Sequence, residues 1–207
     1  MIYVTSLDGL QVEPLTNISD DFRMSQSIDG TFDISFTCFN GDDNPGYELV
    51  TSESTITVDG FDFVVKQISQ SAFSKQITAI SSFYEQAKKY VHGELNGIHT
   101  LQQRLDFVFN NSGWSYTVDG TITDNSVFMH DFGRSNRVAL IRKICEFYGC
   151  EFEIRRDKSL HFTKQIGVES DEPFMYKHNI SSVVLREDTT NLYTKIVGYG
   201  ANGLEVT

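Results

Sequence analysis

Basic residues are scarce in this 207-residue chain. Lys and Arg number 17 against 28 Asp and Glu, a formal charge of −11. A nucleic-acid grip needs a basic footprint that displaces counterions from phosphate. Docking on an anionic membrane needs charge of the same sign, so the balance argues against both. No apolar run approaches the roughly 20 residues of a bilayer span. The N-terminus, Met1-Ile2-Tyr3-Val4-Thr5, lacks the charged and long apolar regions of an export signal. The expectation is a soluble acidic protein made where export signals are not used. Cysteine is equally sparse. Cys38, Cys145 and Cys150 form an odd set without CxxC spacing, read as small buried hydrophobes in a reducing compartment. A Cys145–Cys150 disulfide is the minor alternative, because Cys145 reads as helical and Cys150 as the start of a strand.

Motifs that carry chemistry are also missing. Five histidines (His92, His99, His130, His161 and His178) contain no HExxH and no pair at i, i+4 on a helix, which excludes a zincin site. His161, beside Leu160 and Phe162 on a strand, is expected to face solvent. His130-Asp131 is a loop pair with no partnered nucleophile: no GxSxG is present, and nearby Ser126 has no strained turn around it. Cys145 could be paired with His130 as a nucleophile, but it sits on an apolar helical stripe and reads as a core thiol, since reactive cysteines need exposure and positive surroundings. The stretch Gly198-Tyr199-Gly200-Ala201-Asn202-Gly203 spells GxGxxG. With the sequence given ending at Thr207, no helix follows to receive a pyrophosphate, so the string reads as a turn between strands. The loop from Gly41 to Gly46 lacks EF-hand spacing and reads as a plain surface loop. Trp114 and Tyr116 could make a sugar-stacking platform, but read first as the start of a core strand. The residues therefore point to no catalytic, cofactor-binding or metal site.

What is abundant is aromatic residues, with 16 Phe and 9 Tyr. That content excludes a disordered chain. Alternation of period two dominates the first 85 residues. Phe32, Ile34, Phe36 and Cys38 point one way and Asp33, Ser35 and Thr37 the other, a half-buried strand. Asp59-Gly60 separates two alternating runs and signals a tight hairpin. Lys75 to Ser81 is a further short strand. These features predict an antiparallel meander forming a small barrel or sandwich. The stretch from Glu85 to Val91 reads either as strand or as short helix. Two helices follow. Thr100 can cap the first, with Leu101, Leu105, Val108 and Phe109 on one face. Ser135 or Asn136 can cap the second, which carries adjoining stripes of Val138, Ile141, Cys145, Tyr148 and of Leu140, Ile144, Phe147, and Gly149 ends it. A hairpin then runs through Cys150, Phe152, Ile154, Leu160 and Phe162, and later strands are expected at 182–186 and 192–198. Charge is uneven. Residues 1–100 hold 5 basic and 14 acidic residues, read as a solvated face or as a surface that repels polyanions.

The succession of features resembles a known family. It runs from Gly30-Thr31-Phe32-Asp33-Ile34-Ser35-Phe36-Thr37, through Ser54 to Ile68 and Gly113-Trp114-Ser115-Tyr116-Thr117-Val118, to Ser135–Ile154, Tyr176–Ile180 and Asn191–Gly200. It is similar to the N-terminal region of the tail-associated hub proteins of Gram-positive siphophages and prophages, the prophage endopeptidase tail family, which are similar in turn to the baseplate hub of contractile-tailed phages. The resemblance implies an α+β, mainly β fold: a small antiparallel β-barrel hub module of residues 1–91 plus 181–207, discontinuous in sequence, interrupted by an α+β module at 92–180 with helices near 100–110 and 136–148. It implies a structural, non-enzymatic virion protein at the tail tip, made in the bacterial host cytoplasm. The expected partners are two further copies in a homotrimer, the distal tail protein and the tape measure protein, with DNA passing through without specific binding. Asp20, Asp21, Asp42 and Asp43 would suit the acidic wall of such a passage. Relative to the family the chain ends early, as a fragment or a shortened version, and any hydrolase is expected further toward the C-terminus. The alternatives from other classes are a cell-wall peptidase acting at the tail tip and a carbohydrate-binding receptor-recognition domain.

Overall fold

The computed structural model describes residues 1–27, 31–122 and 125–167, together with scattered positions beyond 168. Residues 1–167 form one compact unit and residues 168–207 a second. In the first unit, alternation becomes a sheet. The strands β1 (Ile2–Thr5), β2 (Val12–Leu15), β3 (Arg23–Gln26), β4 (Phe32–Phe39), β5 (Thr55–Val58), β6 (Phe61–Gln70) and β7 (Ser74–Ser81) pair antiparallel in the order β2-β1-β5-β6-β7-β4-β3. Phe32, Ile34, Phe36 and Cys38 are buried on the face they share with Ile77 and Ala79 of β7, Ile56 of β5 and Val4 of β1. The Asp59-Gly60 turn has φ of 50° and 84°, the double left-handed geometry of a two-residue hairpin, with Val58 opposite Phe61.

The sheet is not a closed barrel, which corrects the expectation. Its edges β2 and β3 are not neighbours. The reason lies in the loop Gly41–Gly46, which is more than the plain surface loop expected. Gly46 N donates to Pro14 O at 3.1 Å, Thr16 N donates to Asn44 Oδ1 at 3.1 Å, and Thr16 Oγ1 donates to Asp43 O. The loop therefore lies against the β2 edge, and Pro14 has no N–H to offer a closing strand. Asn44 is buried, and its amide also donates to Asn17 O and Phe39 O. A Cβ on Gly46 would stand 2.7 Å from both Pro14 O and Val4 Cγ1, so only glycine fits here. The chain leaving β2 then joins β4 through the Ile18–Cys38 bridge, which curls the sheet over its apolar face without closing it.

Inside that curl sits Lys75, in the inward phase of β7. Its Nζ donates to Tyr47 O at 2.8 Å and Val50 O at 3.0 Å and lies 4.3 Å from the Tyr47 ring centroid. The buried cation thereby satisfies the carbonyls of the 3₁₀ turn Tyr47–Leu49, groups that would be costly to bury unpaired.

The segment left open between strand and helix is both. A 3₁₀ stretch, Ser82–Lys88, is followed by β8 (Tyr90–Glu94) and β9 (Gly97–His99). The helices α1 (Leu101–Phe109) and α2 (Arg137–Tyr148) come where expected. Thr100 and Gln103 make a capping box on α1, Asn136 caps α2 by accepting from Ala139 N, and Gly149 closes α2 in the left-handed region. The strands β10 (Ser115–Val118), β13 (Glu151–Ile154) and β14 (Ser159–Thr163) form a three-stranded sheet in which β10 runs parallel to β14. Two ribbons complete the unit: β11 (Val127–Met129) on β9, and β12 (Gly133–Asn136) on β8. Arg137 ties the helices together. Its guanidinium donates to Val108 O at 3.0 Å and Asn110 O at 2.9 Å, the open end of α1, and to Gln86 of the 3₁₀ stretch at 3.2 Å. Arg104, fully buried on the apolar stripe of α1, donates to Leu95 O and to Gly97 O and stacks 4.5 Å from the Phe132 ring centroid. Phe147 departs from expectation: it lies on an outward stripe of α2 and is exposed.

In the second unit the backbone pairs β15 (Gly198–Tyr199) antiparallel with β16 (Glu205–Val206). The strand expected at 182–186, and 192–198 up to Gly198, lie largely outside the described residues, as does their return to the first module.

Phe83 connects the layers of the first unit. It has no exposed surface, and its ring meets Trp114 at 5.3 Å, Tyr84 at 5.4 Å and Phe152 at 5.7 Å. Phe83→Ala is expected to lower unfolding free energy by about 3–5 kcal/mol, read from urea denaturation; a loss below about 1 kcal/mol would show that the joint collapses around the gap. A second tie is ionic. A bulge at Lys66 of β6 brings its Nζ to Glu53 at 2.8 Å and Glu85 at 2.6 Å, and Lys88 reaches Glu85 at 2.8 Å. Burial pushes the Glu85 carboxyl up, but the hydrogen bonds and charges of Lys66 and Lys88 outweigh it and hold the group below its ordinary value. A depressed carboxyl stabilises the fold above its unfolded pKa and loses that contribution as pH falls through its folded pKa. The melting temperature of the parent should therefore fall more steeply than that of Glu85→Gln between about pH 5 and 3, by an amount equivalent to about 0.5 kcal/mol for a pair this exposed. Parallel curves would show the pair to be without effect.

Candidate assembly surfaces

The structure separates the residues that could have formed a reactive site. Cys38 is buried opposite Lys75 in the β4–β7 ladder, and burial pushes its thiol up. Cys145 is half-buried at the end of α2, Cys150 is buried, and both are free. A hydrogen bond with Cys150 and burial push the Cys145 thiol up, the opposite of an activated nucleophile. His130 Nδ1 is 2.8 Å from Asp131 Oδ2, but the two side chains are 75% and 81% exposed, too open to hold a substrate out of water. His99 Nε2 is 3.0 Å from Asn96 O, His161 Nδ1 is 2.8 Å from Thr117 Oγ1, and the His92 ring lies against Tyr90. Among the described residues no three metal-ligating side chains come together. Of the GxGxxG string, Gly198 and Tyr199 form β15, which pairs antiparallel with β16, and the rest lies outside the described residues.

Trp114 and Tyr116 do not form an open platform. Both are half-buried at the rim of the core. The Trp114 ring stands edge-on to Phe83, and Tyr116 packs on Phe109 with ring centroids 5.1 Å apart. The Tyr116 hydroxyl donates to Asp106 Oδ1 at 2.5 Å, and burial together with that carboxylate pushes the phenol well up. It is a fixed donor tying β10 to α1.

What the unit offers to other molecules is surface. Apolar side chains stand exposed in separate groups: Tyr3, Leu7, Leu10 and Val12 at the β1–β2 hairpin, Phe39 and Phe73 at one end of the sheet, and the cross-strand pair Ile98 and Phe128 on the β9–β11 ribbon. An open groove of about 590 Å³ runs between the 3₁₀ stretch and α2, floored by Tyr84, Ala87, Val138 and Phe147 and rimmed by Arg142, Lys143 and Glu146. Grouped exposed apolar residues with polar rims are features of contact with other proteins.

Charge is arranged around them. Asp20, Asp21, Asp42 and Asp43 are all exposed, in two segments that the Ile18–Cys38 bridge and the Asn44 side chain draw together. Asp21 accepts from Thr37 Oγ1 at 2.8 Å and Thr37 N at 3.1 Å, which hold its carboxyl below the ordinary value. Residues 101–167, by contrast, hold 9 basic and 8 acidic residues. The acidic character was legible in composition. The groove was not, because the stripe ending in Phe147 looked like core.

Comparison with known proteins agrees with these features. Residues 2–81 match the prophage endopeptidase tail N-terminal domain. The chain is similar along 99% of its length to the prophage tail protein gp18 from Listeria monocytogenes EGD-e, with 28% identity and a TM-score of 0.78, and it covers 66% of that protein. The fold is also similar to a 43 kDa tail protein of prophage MuSo2 from Shewanella oneidensis (15% identity, TM-score 0.50, 79% of this chain and 55% of the other). A tail protein from Neisseria meningitidis MC58 is a further structural relative (11% identity, TM-score 0.55, 99% of this chain and 65% of the other). The chain thus spans between about half and two thirds of the length of these structures. No curated protein sequence matches it.

Proposed function

We propose, from the match of residues 2–81 to the prophage endopeptidase tail N-terminal domain, that this chain is a structural subunit of a phage or prophage tail and forms part of the hub that closes the tail tube. The observation that carries the reading is the fold shared along nearly the whole chain with a Listeria prophage tail protein. The surface is consistent with it: several separate apolar groups stand exposed on a unit whose reactive side chains are dispersed. In this reading three copies form a ring, one face docks on the distal tail protein, and the tape measure and DNA pass through the centre. The exposed carboxylates of Asp20, Asp21, Asp42 and Asp43 line the passage, where like charge keeps a polyanion moving. No hydrolytic step is assigned to this chain, because His130–Asp131 lies in solvent and the hydrogen bond with Cys150 and burial push the Cys145 thiol up.

Immunogold or cryo-electron microscopy of the particle should place the chain at the tail tip, at the tube end distal to the capsid. Label along the tube wall, on the capsid, or missing from purified particles would overturn the assignment. In a peptidoglycan zymogram the chain should leave no cleared band. Clearing that survives purification to homogeneity would transfer the reading to a cell-wall peptidase.

A further inference from the structure

The 3₁₀ stretch Ser82–Lys88 follows directly on β7, and the β6–β7 turn precedes β7. The two ends of this eight-residue strand are therefore about 25 Å apart at roughly 3.3 Å per residue. They differ in shape and in the balance of charge. At the first end Phe73 stands 76% exposed on the turn. Asn40 N donates to Phe73 O at 2.8 Å, which places the Asp42 and Asp43 segment beside it. Neither carboxylate has a basic partner among the described residues. At the second end the groove between the 3₁₀ stretch and α2 has an apolar floor and a rim of two cations, Arg142 and Lys143, and one carboxylate, Glu146. Lys143 there is committed to His130 O and Asp131 O, whereas Arg142 is exposed and has no carboxylate partner among the described residues.

We propose that this groove receives the Phe73 turn of a second copy of this chain, with Asp42 and Asp43 of the entering copy meeting Arg142 at the rim. An exposed aromatic flanked by acids fits an apolar floor bordered by a cation, in both packing and charge. Because knob and groove sit at opposite ends of one strand, each copy can offer both at once. Contacts of this head-to-tail kind build rings when the rotation closes. The inference rests on the hub reading and names the contact that would join its copies.

The test is cross-linking by mixed variants of the full chain that each carry one introduced surface cysteine on a C38A/C145A/C150A background. Ala72, next to Phe73, and Ala139, in the groove, are both exposed. A72C mixed with A139C and oxidised should give the heterodisulfide in about tenfold excess over either homodimer, the ratio of a preferred to a random encounter, with the bond identified by mass spectrometry. Adding R142E to the A139C copy should remove that excess, and D42K/D43K on the A72C copy should restore it. Statistical product ratios, or an excess indifferent to R142E, would overturn the contact. Native mass spectrometry of the parent separates the two ideas. A closed ring with statistical cross-linking leaves the hub reading and removes this contact, and a monomer with statistical cross-linking counts against both.

Discussion

The full burial of Phe83 is the constraint on which the rest of the first unit depends. The ring leaves the chain where β7 ends, in the 3₁₀ stretch, and enters the aromatic group of Trp114, Tyr84 and Phe152. Two of those three partners belong to the smaller sheet: Phe152 is on β13 and Trp114 directly precedes β10. The larger sheet is apolar on its inner face alone, and so is the helical layer. Each needs the other to complete its core, and one aromatic side chain at the handover fixes how they meet. The Lys66–Glu85–Lys88 ion pairs hold the same stretch from its exposed side.

Three cations do related work deeper in. Lys75, Arg104 and Arg137 each direct their donors at backbone carbonyls rather than at carboxylates. The carbonyls belong to a 3₁₀ turn, to the approach to α1, and to the open end of α1. These are places where regular hydrogen bonding stops and where an unpaired oxygen would be costly. The arrangement makes irregular connections rigid, which suits a part whose shape is read by its neighbours more than by a small ligand.

The outer surface has a polarity that the fold itself creates. One end of the sheet gathers the loop Gly41–Gly46 and the segment after β2, which carry Asp42, Asp43, Asp20 and Asp21, beside the β6–β7 turn. The other end hands over to helices whose outer faces carry Arg142 and Lys143. Composition explains the excess of acid, but its concentration at one end follows from which connections the strand order brings together.

Much of this was readable in the chain. The alternation Phe32-Ile34-Phe36-Cys38, the Asp59-Gly60 hairpin, the caps at Thr100 and Asn136 and the left-handed Gly149 are each local. Backbone sterics and period-two or period-3.6 burial act over a few residues and leave a mark at that distance. The burial of Lys75 and Arg104 was not read from the chain, because no short pattern says which carbonyls a buried cation will find. Tertiary structure alone decided that the sheet stays open, because the loop carrying Asn44 and Gly46 takes the β2 edge. It also decided that Phe147 faces a groove, and that the partner of Trp114 in the core is Phe83. Those outcomes depend on which distant segment arrives first at an unsatisfied edge or apolar face, a competition between parts of the chain that no short stretch of residues records.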